Sequence, residues 1–190
     1  ALNDRVFPGV VLAAHPLVHG PLSRAVILVL QHGKEGSYGV VINHRSHLKL
    51  SDVIKNLPAN MLHIFSSNHT HYGGPVKRLQ CIHKFPQFSG TKIMGSTDNE
   101  CQLFCGGITE DNLNSLSAET SASDADKSDL SRDHFHFFTG CCTWNAGELN
   151  DQITEGFWMP MVLAPEDVWK LIEQEKLESS IDNSKSDTAV

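Results

Sequence analysis

The sequence has neither a long apolar run nor an excess of basic residues. No uninterrupted apolar stretch approaches the roughly 18 residues that a membrane-spanning helix needs, so no span is expected. The 190 residues include 15 lysines and arginines against 22 aspartates and glutamates, which gives a formal net charge of −7. Because a nucleic-acid-binding protein usually carries a basic face, direct nucleic-acid binding is not expected.

The short motifs of the common enzyme classes are also absent. The sequence contains no G-x-S-x-G, no Walker A motif, no G-x-G-x-x-G and no H-E-x-x-H. Two H-x-H pairs, at residues 69–71 and 134–136, would each present two imidazoles on one strand face, but zinc also needs a third ligand. We therefore assign no catalytic residue, no metal site and no cofactor, and we leave open whether the protein is an enzyme.

Cysteine is present in an odd number, which excludes a closed set of disulfides within one chain. The five are Cys81, Cys101, Cys105, Cys141 and Cys142. A chain of this length builds a core without disulfides, so a reducing intracellular compartment is expected. Residue 1 is Ala, which is compatible with a removed leader and with delivery to a plastid-type organelle.

The length and the charge distribution indicate one domain with a polar tail. A length of 190 residues is that of a single domain, which we expect to span residues 1–177. Residues 109–133 are polar and are predicted to form an insertion, either helical or mobile, and residues 178–190 a flexible C-terminal tail. Residues 1–108 contain ten basic and five acidic side chains, so the acidic residues concentrate in the second part of the chain.

Apolar patterning predicts a mixture of strands and helices. Apolar runs bounded by turn residues predict strands at 10–14, 25–30, 38–43, 79–83, 101–105, 135–138 and 157–163. The second and third form a hairpin across residues 33–36, and the last is an edge strand because Pro160 cannot donate to a ladder. Capping patterns predict helices from Ser51 to Pro58, from Asn145 to Gly156, and from Pro165 onward.

Four segments occur in an order and spacing that resemble a known family. They are residues 9–16 (GVVLAAHP), 24–43 (ending in GVVIN), 73–76 (GGPV) and 137–149 (with FFTG, a tryptophan and GEL). On these motifs the chain resembles the AlgH/YqgE family, in its eukaryotic, plant-like version, over roughly residues 7–163. The resemblance covers nearly the whole expected domain.

The resemblance implies an α+β fold with a mixed, mostly antiparallel, bifurcated and barrel-like sheet surrounded by helices. It implies no activity, since none is established for the family. The label of transcriptional regulator comes from an effect of a bacterial member on alginate gene expression. Residues 140–144 (GCCTW) depart from the family's G-Y-A/S-G-W, and Glu148 replaces a Gln, so a pocket there would differ in shape and polarity.

The candidate ligand-binding residues come from these motifs. They are Asn43, Gly73, Gly74, Trp144 and Glu148. The double glycine precedes Lys77 and Arg78, so the segment offers backbone amides and two cations to a phosphate or a carboxylate. The alternatives are a tight turn for the glycines, a capping box for the glutamate and core packing for the tryptophan.

Cys141 and Cys142 are candidate reactive thiols, because they are expected just before a helix N-terminus, whose dipole lowers a thiol pKa. The alternative is that both are buried apolar side chains. Together the observations favour a non-enzymatic module that binds a small ligand or a protein partner. A thiol-dependent or hydrolytic enzyme is one alternative, and a transcriptional regulator, suggested by the family name, is another.

Overall fold

A computed structural model describes residues 6–96, 101–109, 111–114 and 132–182. The ten strands within these ranges are β1 (Val11–Ala14), β2 (Val26–Gly33), β3 (Gly36–Val41), β4 (Arg45–Lys49), β5 (His69–Tyr72), β6 (Val76–His83), β7 (Thr91–Met94), β8 (Leu103–Cys105), β9 (Phe135–Trp144) and β10 (Trp158–Met161). The helices are α1 (Leu50–Val53), α2 (Ala59–Phe65), α3 (described over 111–114), α4 (Glu148–Thr154) and α5 (Pro165–Asp182). The chain is therefore an α+β protein, as the sequence predicts.

The ten strands form one open sheet with β9 at its centre. The order is β10-β1-β2-β3-β9-β6-β8-β7, and β5 joins β4 to β9. One edge of β9 pairs with β6, while the other edge is shared between β5 and β3. The β5–β9 pair is parallel and the remaining pairs are antiparallel. The mostly antiparallel, bifurcated sheet is confirmed, and it does not close into a barrel.

Apolar side chains cover both faces of the β1–β3 branch. Leu28 and Val40 pack in the same cluster as Val168 of α5. Ile27, next to Leu28 in the chain, points to the opposite face and packs with Leu149 of α4. Because both faces are covered, the strand sequences are continuous apolar runs rather than alternating ones.

A third apolar cluster lies beneath α1 and α2. The ring of Phe65 in α2 has its centroid 5.2 Å from that of Phe135 and 5.1 Å from that of Phe137, both in β9. Leu50 of α1 is fully buried in the same cluster. The packing fixes this helix pair against the branch of the sheet that contains β5 and β6.

The predicted helix from Ser51 to Pro58 has the wrong bounds. α1 begins at Leu50 and ends at Val53, and the N–H of the preceding Lys49 donates to Oδ2 of Asp52 over 3.1 Å. Pro58 does not end this helix but stands directly before α2. A proline is tolerated at a helix start because its missing N–H has no partner to lose there.

The predicted change from strand to helix at residues 140–144 is also wrong. β9 continues through Trp144, because residues 142–144 pair with β3, and it contains Gly140 at a φ of 89°, which glycine adopts readily. α4 begins at Glu148, later than predicted. The predicted cap contact is nevertheless present, since the N–H of Asn145 donates to Oε2 of Glu148 over 2.8 Å.

The polar segments are described only in part. α5 extends to Asp182, so the first residues of the predicted 178–190 tail belong to a helix. Of the predicted insertion at 109–133, α3 and a 3₁₀ turn at Arg132–His134 are described. Residues 110, 115–131 and 183–190 lie outside the described residues. The domain boundaries stay predictions.

Candidate functional site

The double glycine forms the corner between β5 and β6 and lies directly against β9. The N–H of Gly73 donates to the carbonyl oxygen of Thr139 over 2.9 Å, and its own carbonyl oxygen accepts from the end of β3 over 2.9 Å. A Cβ atom at Gly73 would clash with the carbonyl oxygen of Gly140, and one at Gly74 with the backbone of Cys141. Close backbone approach therefore requires these glycines, and the Gly73 amide is already used within the fold.

Beside this corner lies an open cavity of about 680 Å³, which we call the corner groove. Its apolar walls are Val53 of α1, the following Ile54, Pro75, and Leu79 of β6. Gly74 lines the base where the corner meets β9. The volume lies within the range of roughly 300–1,000 Å³ that is usual for small-molecule sites.

The positive charge of the corner groove comes from Lys77 and Arg78 on β6. Both side chains are exposed, and neither has a carboxylate oxygen within 4.0 Å among the described residues. The guanidinium carbon of Arg78 lies 5.0 Å from the ring centroid of Tyr38, a contact that orients this cation. Burial raises the pKa of Tyr72, which lines the same cavity as a neutral phenol.

Of the five predicted ligand-binding residues, Gly74 lines the corner groove and Asn43 does not. Oδ1 of Asn43 accepts from the N–H of Val26 over 2.8 Å, and its Nδ2 donates to the carbonyl oxygen of Arg24 over 2.9 Å. Arg24 has a φ of 58°, an unfavourable conformation for a residue with a side chain. Asn43 therefore holds the strained turn that leads into β2.

Trp144 and Glu148 belong to a separate polar network centred on Gln152 of α4. Nε1 of Trp144 and Nε1 of Trp158 both donate to Oε1 of Gln152, over 3.0 and 2.7 Å. Nε2 of Gln152 donates in turn to Oε1 of Glu148 over 3.2 Å. The structure thus joins these two predicted residues to each other but not to the corner groove, and the network secures α4 to the sheet.

Cys141 and Cys142 lie inside β9 and not in front of a helix. Their exposed fractions are 0% and 3%. Burial, with a smaller contribution from Cys141, raises the pKa of Cys142 to about 12, and burial also raises the pKa of Cys141. A thiol that stays protonated at neutral pH is a poor nucleophile. The placement favours the alternative of buried apolar side chains, and the reactive-thiol assignment stays a prediction.

The two H-x-H pairs come together in space, which spacing along the chain could not predict. Because β5 and β9 are parallel, with Thr70 opposite Phe137, a histidine from each pair meets across the strands. Nε2 of His71 lies 3.2 Å from Nδ1 of His136, and both residues are buried. They line a polar cavity of about 130 Å³, which we call the histidine cavity.

The described residues contain neither a cluster of metal ligands nor a helix that could span a membrane. Within the described ranges, no three or more His, Cys, Asp and Glu side chains are grouped so as to hold a metal ion. None of the described helices combines the length and the apolar character that crossing a membrane requires.

The fold of this protein is defined by a sheet that divides into two branches at β9. Solved structures of other proteins share this fold. The crystal structure of protein DIP2367 from Corynebacterium diphtheriae matches with a TM-score of 0.56 and 21% identity, over 90% of this chain and 88% of that chain. The solution structure of AlgH from Pseudomonas aeruginosa matches with a TM-score of 0.55 and 21% identity, over 95% and 89% of the two chains. At these identities the likeness shows the fold alone.

The family follows from the sequence. The family model described as AlgH-like (DUF179) matches residues 10–189, and the chain belongs to this family. The UPF0301 protein of Chlorobium limicola is 27% identical over 156 residues, which cover 82% of this chain and 74% of the relative. The UPF0301 protein of Corynebacterium efficiens is 28% identical over 167 residues, or 87% and 77% of the two. The predicted family is confirmed. These relatives are bacterial, so the plant-like qualifier gains no support from them and stays a prediction.

Proposed function

We propose that the protein is a binding module that holds a small organic anion in the corner groove without converting it. The observation that carries this proposal is that Lys77 and Arg78, with no carboxylate partner among the described residues, border a cavity with apolar walls. Small-molecule sites usually combine apolar area, which supplies affinity, with a few charged groups, which fix the orientation of the ligand.

The charge and the shape of the groove select a class of ligand. A phosphate or carboxylate head would form charge-assisted hydrogen bonds with Lys77 and Arg78, and the planar guanidinium can bind two oxygens at once. An aliphatic or aromatic body would cover Val53, Ile54 and Leu79, which gains roughly 25 cal/mol per Å² of apolar surface removed from water. A ligand with both parts fits better than a bare anion or a neutral hydrocarbon.

The lining of the groove supports binding over catalysis. Among the described residues that line it there is no His, Cys, Asp or Glu side chain. The hydroxyl of Thr139 already donates to the carbonyl oxygen of His71 over 3.1 Å, and the ring of His44, which contacts that of Tyr72, does not line the groove. An unactivated hydroxyl is a weak nucleophile. A thiol-dependent or hydrolytic enzyme stays an alternative prediction, as do a protein partner and the transcriptional regulator that the family name suggests.

Isothermal titration calorimetry with octyl phosphate, octanoate and octanol tests the proposal. We expect saturable binding of the two anions and much weaker binding of octanol, which has the same chain but no charge. Lys77→Gln and Arg78→Gln should each weaken the binding of octyl phosphate about tenfold, because a hydrogen bond to a charged group contributes ~1.5–3 kcal/mol.

Lys34→Gln provides the matched control, because Lys34 is exposed in the β2–β3 turn and does not line the groove. This variant removes the same charge and should keep the affinity of the unsubstituted protein. Octanol binding as tightly as octyl phosphate, or equal affinities in the Lys34, Lys77 and Arg78 variants, would contradict the proposal.

A further inference from the structure

The histidine cavity is separate from the corner groove, because the two have no lining residue in common. With a volume of about 130 Å³ it can hold several water molecules or one tetrahedral oxyanion, but not a ligand with an organic body. Apart from Phe135, the residues that line it carry polar side chains. The cavity thus differs from the groove in both size and chemistry.

The walls of the histidine cavity are held in place by side-chain hydrogen bonds to the backbone. Nδ2 of Asn68 donates to the carbonyl oxygens of Arg132, over 3.0 Å, and Phe135, over 3.2 Å, which joins the start of β9 to the start of β5. Oγ1 of Thr70 donates to the carbonyl oxygen of Leu48 over 3.1 Å and joins β5 to β4. The cavity is therefore formed before any ligand arrives, which lowers the cost of binding.

Two imidazole rings form part of the wall at fixed positions. One ring of the His71–His136 pair must donate a proton to the other across their 3.2 Å contact. The ring of His71 stacks on Phe138 with a centroid distance of 4.8 Å, and that of His136 meets Trp169 of α5 edge-on at 4.8 Å. Because each ring is held by a neighbouring aromatic side chain, the pair forms a rigid part of the cavity wall.

The charged residues around the cavity give it a positive balance. Among the described residues that line the cavity, Arg45 and Arg132 each carry a guanidinium group and Asp133 carries a carboxylate. Positive charge influences His69, whose pKa is lowered mainly by burial and, to a smaller extent, by the charge of Arg45. An anion placed in the cavity would therefore be attracted even while the histidines are neutral.

We infer that the histidine cavity binds a small inorganic oxyanion, of which phosphate is the representative. The guanidinium groups of Arg45 and Arg132 would supply charge and paired N–H donors, and the histidine pair one rigid wall of the cavity. A tetrahedral oxyanion presents acceptors in several directions at once and so can use donors from both β4 and the 3₁₀ turn at Arg132–His134. Chloride has the same sign of charge but a single atom, and it should bind more weakly.

Calorimetric titration with inorganic phosphate, at constant ionic strength and with chloride as the comparison ion, tests this inference. We expect saturable phosphate binding that Arg45→Gln and Arg132→Gln each weaken about tenfold, the effect of removing one charge-assisted contact. Lys34→Gln is the control, since Lys34 is exposed and lines neither cavity, and it should leave phosphate binding unchanged. Lys77→Gln shows whether phosphate binds in the corner groove instead, so the inference and the organic-anion proposal can fail independently.

Nitrogen-15 NMR of the imidazole rings provides a second readout. Ring signals of His71 and His136 should shift during the phosphate titration and saturate with the calorimetric affinity. The ring signals of His15, which is half-buried directly after β1 and lines neither cavity, should not shift. Absence of saturable binding, loss of phosphate binding in Lys77→Gln instead of Arg45→Gln, or unshifted His71 and His136 signals at saturation would each overturn the inference.

Discussion

Gln152 joins two tryptophans that lie on different strands. Its Oε1 atom accepts both indole N–H groups, and the rings of Trp144 and Trp158 meet edge to face with centroids 6.1 Å apart. Nothing in the sequence marks this residue, because a glutamine within an amphipathic helix usually faces solvent. Its role follows from the position of β10 beside β1, which brings the second tryptophan to α4.

Replacing this glutamine should destabilise the protein by leaving two donors without an acceptor. We expect Gln152→Leu to lower the free energy of unfolding by about 2 kcal/mol, since each unsatisfied buried polar group costs roughly 1–3 kcal/mol and part of the site can reach water. Urea unfolding followed by tryptophan fluorescence measures the change. Gln31→Leu, at an exposed position of β2, is the control and should change stability by less than about 0.5 kcal/mol. Equal stabilities of the two variants would contradict this account.

Gly73 can be tested in the same way, with a glycine in open space for comparison. Gly73→Ala should cost about 2–3 kcal/mol, because the added methyl group meets the carbonyl oxygen of Gly140 and backbone must move. Gly33→Ala adds the same methyl group where no atom lies within 4 Å, and it should be nearly neutral. Thermal unfolding of both variants measures the difference, and a neutral Gly73→Ala would show that the corner is looser than described.

At the scale of elements, β10 forms an edge of the sheet that is protected by a proline. The N–H of Ala14 in β1 donates to the carbonyl oxygen of Ala25, on the side of β2. Because backbone groups point to alternate sides along a strand, those of the neighbouring Ala13 point to β10, where Ala13 lies opposite Met159. The same alternation along β10 directs the backbone groups of Pro160, the residue after Met159, away from β1. The free edge therefore lacks one N–H donor at its centre, which hinders pairing with another strand.

Restoring this donor should promote self-association. We expect Pro160→Val to raise the average mass in sedimentation velocity at micromolar concentrations, because the exposed Met159 and Met161 flank the new N–H. Pro160→Lys restores the same donor but adds a charge to the edge, and it should sediment like the unsubstituted protein. If both variants sediment alike, the missing donor is not what protects this edge.

Local signals decide which elements could be predicted. The β2–β3 hairpin, the edge strand β10 and the start of α5 follow from apolar runs, tight turns and prolines that act within a few residues. β4 was not predicted, since its sequence RSHLK is polar and exposed and is extended only because it pairs with β5. α2 was missed because Pro58 was interpreted as the end of one helix instead of the approach to another.

At the scale of the molecule, the predicted site combined residues that serve different purposes. A family motif retains packing residues as well as binding residues, and Asn43, Trp144 and Glu148 are explained by hydrogen bonds that support the fold. Gly74, which lines the corner groove, was predicted as a ligand-binding residue because a double glycine is a strong local signal. The walls from α1 could not be found, since Val53 and Ile54 reach the groove only through tertiary packing.

Buried thiols should make the protein sensitive to alkaline pH. Burial raises the pKa of Cys142 to about 12 and that of Cys105 to about 11, while an unfolded thiol has a pKa near 9.0. At a pH between the unfolded and the folded pKa, the thiol keeps its proton in the folded state but loses it in the unfolded state. The free energy of unfolding is therefore at its full value below pH 9 and falls as the pH rises above it. We expect a slope of about 1 kcal/mol per pH unit from Cys142, measured by urea unfolding from pH 8 to 10.5.

A comparison of two cysteine variants isolates this effect. Cys142→Ala should reduce the loss of stability between pH 9 and 10.5, whereas Cys101→Ala, at a half-buried site, should reduce it much less. Because both variants remove one thiol, a difference between them reports on the surroundings of the two thiols, of which burial is the largest influence on each pKa. Identical pH profiles for Cys142→Ala and the unsubstituted protein would show that this thiol does not govern alkaline unfolding.

The central position of β9 has a consequence for synthesis. A ribosome makes β3, β5 and β6 long before it reaches residues 135–144, so the growing polypeptide carries three strand edges that wait for the same late partner. A translation product halted before residue 135 would expose those edges and should need chaperone protection. The joining of β3, β5 and β6 is therefore a late event in translation, set by the arrival of β9.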